Sequence, residues 1–297
     1  MQKYLAVILV GVIMGTLTRL YMLRVDYRQY PSYPQGYLVH LSLGMIAALL
    51  GAVAIPAILE REYTAVTFLS LAAQQFREIR EMERKSLQNL ESTELVPRGT
   101  AYIEDISKAF ESRNYFAIIS ALVSSLVFQF TNSFFGAVAA GAATMLILQY
   151  SAKRIHIKDI AVIRPAKIHF EGPMLYIENI AVMNVGLLES RKIYEEQALA
   201  VMIEPKDDNA RATLANAGQR QAMVHDAASL LGIKKDITDV DFTPLARLDL
   251  NTGRVGLVIV PMERDIESLI IALGRVPVLE SSRRKPLKSY AGYKAAD

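Results

Sequence analysis

Residues 206–226 hold the densest set of side chains that could do chemistry. Asn209, Thr213, Asn216 and Arg220 are spaced four, three and four apart, so a continuous helix would line them up in one polar stripe. Leu214, Ala217, Val224, Ala228 and Leu231 would form its buried face. Amides, a hydroxyl and a guanidinium suit a carboxylate or a peptide backbone, and Lys206 and Arg211 add positive charge near a helix start, where anions are favoured. The plainer account is a capped amphipathic helix with a solvated face. The candidate binding residues are therefore Lys206, Asn209, Arg211, Thr213, Asn216 and Arg220.

Acid and base catalysis needs two carboxyl groups in one cleft, one protonated while the other is ionised. Asp249 could supply one and Asp207 or Asp208 the other, an aspartic-peptidase arrangement. Against it, Asn251, Thr252 and Gly253 are ordinary hairpin-turn residues, and Asp207 reads equally well as a helix cap. A serine hydrolase built from Ser120, Ser124 or Ser125 with His40 lacks a GxSxG elbow. The four histidines, His40, His156, His169 and His225, show no HxxxH or HExxH pairing and cysteine is absent, so neither a metal nor another cofactor is expected. The net charge of +3 demands no acidic partner, and nucleic acid is not expected.

These candidates must be held by a chain that is 52% hydrophobic yet 21% charged, a balance that implies a membrane part and a soluble part. Residues 115–152 contain no Asp, Glu, Lys or Arg. That run would overshoot a hydrocarbon core of about 30 Å as one helix, and Thr131, Asn132 and Ser133 divide it into two spans. Residues 4–23 read as a first span with a Gly11/Gly15 pair for close packing, and residues 37–59 as a second. The Tyr- and Pro-rich residues 24–36 between them suit a headgroup-level loop. Arg19, near a helix end beside Tyr21, is expected to snorkel to the interface, and His40 to sit at a span mouth. Residues 60–114 carry a helix with Leu69, Ala72, Phe76, Ile79, Leu87 and Leu90 on one face, able to lie on the membrane, pair with a second copy or cover the soluble part. Eight basic residues in this connection, against none in the Thr131–Ser133 turn, predict that both termini are cytoplasmic. That topology carries a cost, since Arg24 and Arg28 would be exported.

From Lys153 onward, short alternating runs broken by Pro165, Gly172 and Pro173 predict strands. They are followed by helices near residues 189–197, 208–231 and 263–273 and a hairpin around Asn251–Gly253. The predicted fold class is an α-helical membrane region of four transmembrane helices in two hairpins plus a C-terminal cytoplasmic α+β domain. Its parts are a first hairpin (1–59), a cytoplasmic connection (60–114), a second hairpin (115–152), the α+β domain (153–282) and a basic tail (283–297), the last expected to be disordered or to meet anionic lipid.

Two hexamers repeat: Tyr102-Ile103-Glu104-Asp105-Ile106-Ser107 and Tyr176-Ile177-Glu178-Asn179-Ile180-Ala181. Together with the segment from Glu204 to Leu214, the residues Gln219-Arg220-Gln221 and the overall layout, they resemble the YIEGIA family of membrane proteins. The resemblance spans nearly the whole chain and implies a membrane protein of endospore-forming Firmicutes with a role in sporulation. It implies no chemistry for particular residues. The expected function is a membrane-anchored regulatory or scaffolding protein whose cytoplasmic domain binds protein partners, with a membrane-bound aspartic-type peptidase as the alternative. Its expected partners are the lipid bilayer, a cytoplasmic protein and, through the amphipathic helix, a second copy of the chain.

Overall fold

The computed structural model describes residues 4–26, 34–236 and 242–294, so most of the expected headgroup loop and the last tail residues lie outside the described residues. The chain forms two compact units, residues 1–86 with 106–153, and residues 87–105 with 154–297.

The first unit is a helix bundle: α1 (Leu5–Asp26), α2 (Pro34–Leu59), most of α3 (Tyr63–Glu91), α4 (Thr100–Thr131) from Ile106 onward, and α5 (Phe134–Ser151). Four of these, α1, α2, α4 and α5, are long and apolar enough to cross a membrane. Small residues bring the helices together. A Cβ on Gly15 would lie 2.6 Å from the Ala48 Cβ and 2.7 Å from the Ala117 carbonyl oxygen, so the Gly11/Gly15 pair packs α1 against α2 and α4 at once. Between α4 and α5 the chain turns at Asn132, whose φ of 49° is left-handed, and the Ser133 hydroxyl caps α5 by accepting from the Gly136 N–H.

The helix directions follow from these contacts. Gly11 meets Ala52 and Gly15 meets Ala48, so α1 and α2 are antiparallel. Ser125 Oγ donates to the Val7 carbonyl at 3.1 Å and Gly15 faces Ala117, so α1 and α4 are antiparallel too. Phe76 of α3 packs with Ala47 and Ala117, and Arg80 donates to Glu111 at 3.2 Å, which runs α3 back alongside α4. The expected amphipathic helix is thus a fifth long member of the bundle. Tyr4, whose hydroxyl donates to the Glu60 carboxylate at 2.5 Å, stands at the end where α2 finishes, α3 starts and α4 turns into α5. Ser151 stands at the opposite end.

The second unit is α+β. After the short α6 (Ile157–Ile160), strands β1 (Ala161–Pro165), β5 (Leu199–Pro205), β7 (Val255–Ile259) and β6 (Leu245–Leu248) form an antiparallel sheet in the order β1-β5-β7-β6. Strands β2 (Ile168–Glu171), β3 (Met174–Ile177) and β4 (Ile180–Asn184) form a second, antiparallel one. Their inward residues Leu175, Ile177, Ile180, Val182, Met202 and Val258 share a core with Tyr194 of α7 (Leu188–Gln197). α10 (Ile266–Gly274), with Leu269 and Leu273 buried, follows β7.

The predicted helix over 208–231 is two helices, α8 (Asp208–Leu214) and α9 (Ala217–Leu231). Asn216 causes the break. Its backbone is extended and its side chain accepts from the Gln219 N–H at 3.1 Å, so it starts a new helix instead of continuing the old one. The basic tail is ordered through Lys294, as a 3₁₀ turn at Pro286–Lys288 and the short α11 (Tyr290–Lys294).

Candidate functional site

The break at Asn216 divides the expected polar stripe: Asn209 and Thr213 sit on α8, Asn216 caps α9, and Arg220 lies on α9. Most of these groups hold the chain to itself. Asn209 Oδ1 accepts from the Leu287 N–H at 3.1 Å, and Thr213 Oγ1 accepts from the Arg284 N–H at 3.3 Å while donating to the Asn209 carbonyl at 2.7 Å, so both seat the basic tail on α8. Lys206 Nζ donates to the carbonyls of Lys158 and Asp159 at 2.8 and 3.2 Å, occupying the end of α6. Arg220 is half-buried; burial, aided by the nearby Arg247 charge, holds its pKa below the usual arginine value.

Arg211 does something different. Its Nη2 donates to the Asn251 carbonyl at 2.8 Å, joining α8 to the turn between β6 and β7. Asp249 organises that turn, accepting from the Asn251 N–H at 3.0 Å and from the Thr252 hydroxyl at 2.5 Å. The Thr252 hydroxyl, then the Asn251 N–H, keep the Asp249 carboxyl below the usual carboxylate range. Asp207 caps α8 by accepting from the Ala210 N–H at 2.7 Å, and Asp208 lies in the first turn. At the tip of the turn Leu250 is 82% exposed, next in sequence to the residue that Arg211 binds.

The two hexamers occupy distinct places. Tyr102 and Asp105 open α4; the Tyr102 hydroxyl donates to Asp226 at 3.1 Å and Asp105 pairs with Arg154 at 2.7 Å. Tyr176 to Ala181 form the β3–β4 hairpin, with Ile177 and Ile180 in the core. Glu178, at a left-handed φ of 51°, takes both guanidinium arms of Arg164, which also reaches Glu204 at 3.1 Å. This ties the second hexamer to the segment beginning at Glu204. The family described as YIEGIA protein matches residues 7–289. The chain belongs to the YIEGIA family. Among relatives of this YIEGIA chain is YphB of Bacillus subtilis (strain 168), 43% identical over 286 residues that cover 96% of each chain. No solved structure matches it.

The bundle of this YIEGIA protein also holds a polar cluster that sequence reasoning put at the interface. Arg19 is fully buried, with its guanidinium carbon 5.2 Å from the Phe110 ring centroid, and the His40 ring meets the same ring edge-on at 4.9 Å. One turn beyond Phe110, Asn114 is fully buried, and neither polar atom of its side chain has a hydrogen-bond partner among the described residues. Arg19 does not snorkel because Gly44 leaves room for its side chain inside the bundle: a Cβ there would lie 2.3 Å from Arg19 Cγ. The signal in the sequence was Gly44, one turn after His40. Among the described residues no group of three or more His, Asp or Glu side chains could hold a metal ion.

Proposed function

We propose that this chain is a membrane-anchored regulatory or scaffolding protein acting in sporulation, with an α+β domain that binds protein partners from the cytoplasmic face. The observation that carries this reading is the Arg211–Asn251 contact, which ties a guanidinium to the turn that presents the solvent-facing Leu250. An exposed apolar side chain next to an arginine offers a partner both apolar area and a planar set of donors. Asp207 and Asp249 meanwhile serve a cap and a turn, each accepting hydrogen bonds from its own segment. The sporulation role rests on the resemblance to a family of endospore-forming Firmicutes, and the family match and a Bacillus subtilis relative agree with that origin.

The same proposal places the Ser151 end of the bundle on the cytoplasmic side and the Tyr4 end across the membrane. With α3 counted as a fifth pass, Arg84, Lys85, Lys108 and Lys153 would fall on one side and Arg61 on the other. Basic residues would then concentrate in the cytoplasm. Exposed Tyr63, Phe68 and Leu71 on the first part of α3 suit contact with lipid.

A photo-crosslinking residue at position 250, in sporulating cells, tests partner binding. An adduct of discrete mass, lost on Arg211→Glu, is expected; no adduct there or at position 247 would overturn the reading. For topology, the cysteine-free chain allows Gln2→Cys and Lys153→Cys to be labelled with an impermeant maleimide on intact cells. Labelling of the first only is expected, and labelling of neither or both would sink the five-pass arrangement.

A further inference from the structure

Arg283, Arg284, Lys285, Lys288 and Lys294 fall within twelve residues that contain no Asp or Glu. None of the five forms an ion pair with an acidic side chain among the described residues. The fold holds the segment in place: the Arg284 and Leu287 N–H groups are bound by Thr213 and Asn209 of α8. Crowding by Arg283 and Lys288 lowers the pKa of the fully exposed Lys285. A cluster that keeps like charges together without internal neutralisation is complementary to a dense anionic surface.

The turn and helix that follow add an amphipathic element. Gly292 faces inward, where a Cβ would come within 2.2 Å of the Pro286 carbonyl oxygen, and its N–H donates to the Ser289 hydroxyl at 3.0 Å. That packing turns Tyr290 and Tyr293 outward, 80% and 74% exposed, with the Lys294 ammonium 5.8 Å from the Tyr290 ring centroid. Aromatic rings with a polar tip beside lysines are the side chains that settle at a membrane–water interface. An aqueous surface rarely keeps two such rings together with five cations unless something covers them. In a chain with four helices apolar enough to cross a membrane, a lipid headgroup surface is the anionic surface always within reach.

We infer that the segment from Arg283 to Lys294 docks on the anionic headgroups of a bilayer, the five cations meeting lipid phosphates and Tyr290 and Tyr293 entering the interface. The docking fixes the α+β unit against a lipid surface by a second attachment besides its covalent one. It goes beyond the partner-binding reading and stands whether or not that reading holds.

The chain contains no tryptophan, so Tyr290→Trp creates a single fluorescent reporter in the full-length protein. It would be reconstituted in nanodiscs of phosphatidylcholine alone or of equal parts phosphatidylcholine and phosphatidylglycerol, the latter with or without brominated acyl chains. Blue-shifted emission in the anionic discs, quenched by the brominated lipid, is expected. Both effects should disappear at about 1 M salt, where the screening length falls to about 3 Å, and when Arg283, Lys285 and Lys288 are replaced by Gln. Tyr293→Trp provides a second reporter with the same expectation. Solvent-like emission from both reporters in the anionic discs would overturn the inference, and so would an equal, salt-insensitive shift in phosphatidylcholine alone. A shift produced by an added oligodeoxynucleotide but not by anionic lipid would assign the cations to nucleic acid and overturn it as well.

Discussion

His225 donates its Nδ1–H to the carbonyl oxygen of Val96 at 2.7 Å, joining α9 to the segment that precedes α4 across 129 positions of sequence. A carbonyl can only accept, so this contact fixes the tautomer and leaves Nε2 as an acceptor for the Ser229 hydroxyl at 3.3 Å. Burial lowers the pKa of this ring, against the opposing effect of the Val96 bond, and so favours its neutral form.

The pH dependence of the second unit follows from that shift. A histidine whose folded pKa lies below its unfolded value of about 6.5 contributes stability that is complete above that pH and is lost as the pH falls toward the folded value. The midpoint of thermal unfolding should therefore drop as the pH is lowered from about 7 to about 5. His225→Gln should flatten this slope while costing about 1–3 kcal/mol at neutral pH, because the Val96 carbonyl loses a well-placed donor. An unchanged slope in the variant would assign the acid sensitivity to other groups.

Gly44 is predicted to tolerate enlargement poorly. Gly44→Ala places a methyl group on the Arg19 side chain, and overpacking of this kind costs about 1–3 kcal/mol. The melting temperature in detergent should fall, and Arg19→Ala should restore part of it in the double variant. Additive losses would mean that the two side chains do not meet.

Asn114→Leu should stabilise the bundle or leave its melting temperature unchanged. The wild-type amide is buried with neither polar atom partnered among the described residues, and an apolar replacement of similar size removes that desolvation cost of about 1–3 kcal/mol. Destabilisation on this substitution would show that the amide is bonded in the membrane.

Removal of the α9 cap by Asn216→Ala should cost about 1 kcal/mol, with Asn216→Asp close to neutral. Chemical denaturation of the full chain read through far-UV circular dichroism measures both. Equal losses would place the role of Asn216 outside capping.

Arg164→Lys should lower stability by no more than about 1 kcal/mol, since the paired groups are partly exposed and salt screens them. A lysine keeps the charge but cannot give two parallel donors to Glu178. The difference between the two proteins should shrink at high salt; a difference that grows would indicate that packing, not charge, is lost.

Much of the architecture was legible in local sequence. Four helices long and apolar enough to cross a membrane, the separation into a helical unit and an α+β unit, the turn at Thr131–Ser133, the β6–β7 hairpin and the cap at Asp207 all rest on hydrophobic runs, turn residues and short polar side chains that act within a few residues of themselves. What the sequence could not decide were contacts between helices far apart in the chain. The place of Arg19 depended on Gly44, 25 positions away, and on Phe110, 91 positions away. The run of α3 along α4 depended on Phe76 and Arg80 finding Ala117 and Glu111. The polar stripe over 209–220 looked continuous because helical spacing is judged residue by residue, whereas Asn216 had to choose between two backbone conformations. Short-range propensity settles which segments are helices and where hydroxyls and carboxylates cap them. Which buried neighbour each polar side chain meets, and on which side of the bundle each end stands, is settled only when close packing across the whole chain selects one arrangement.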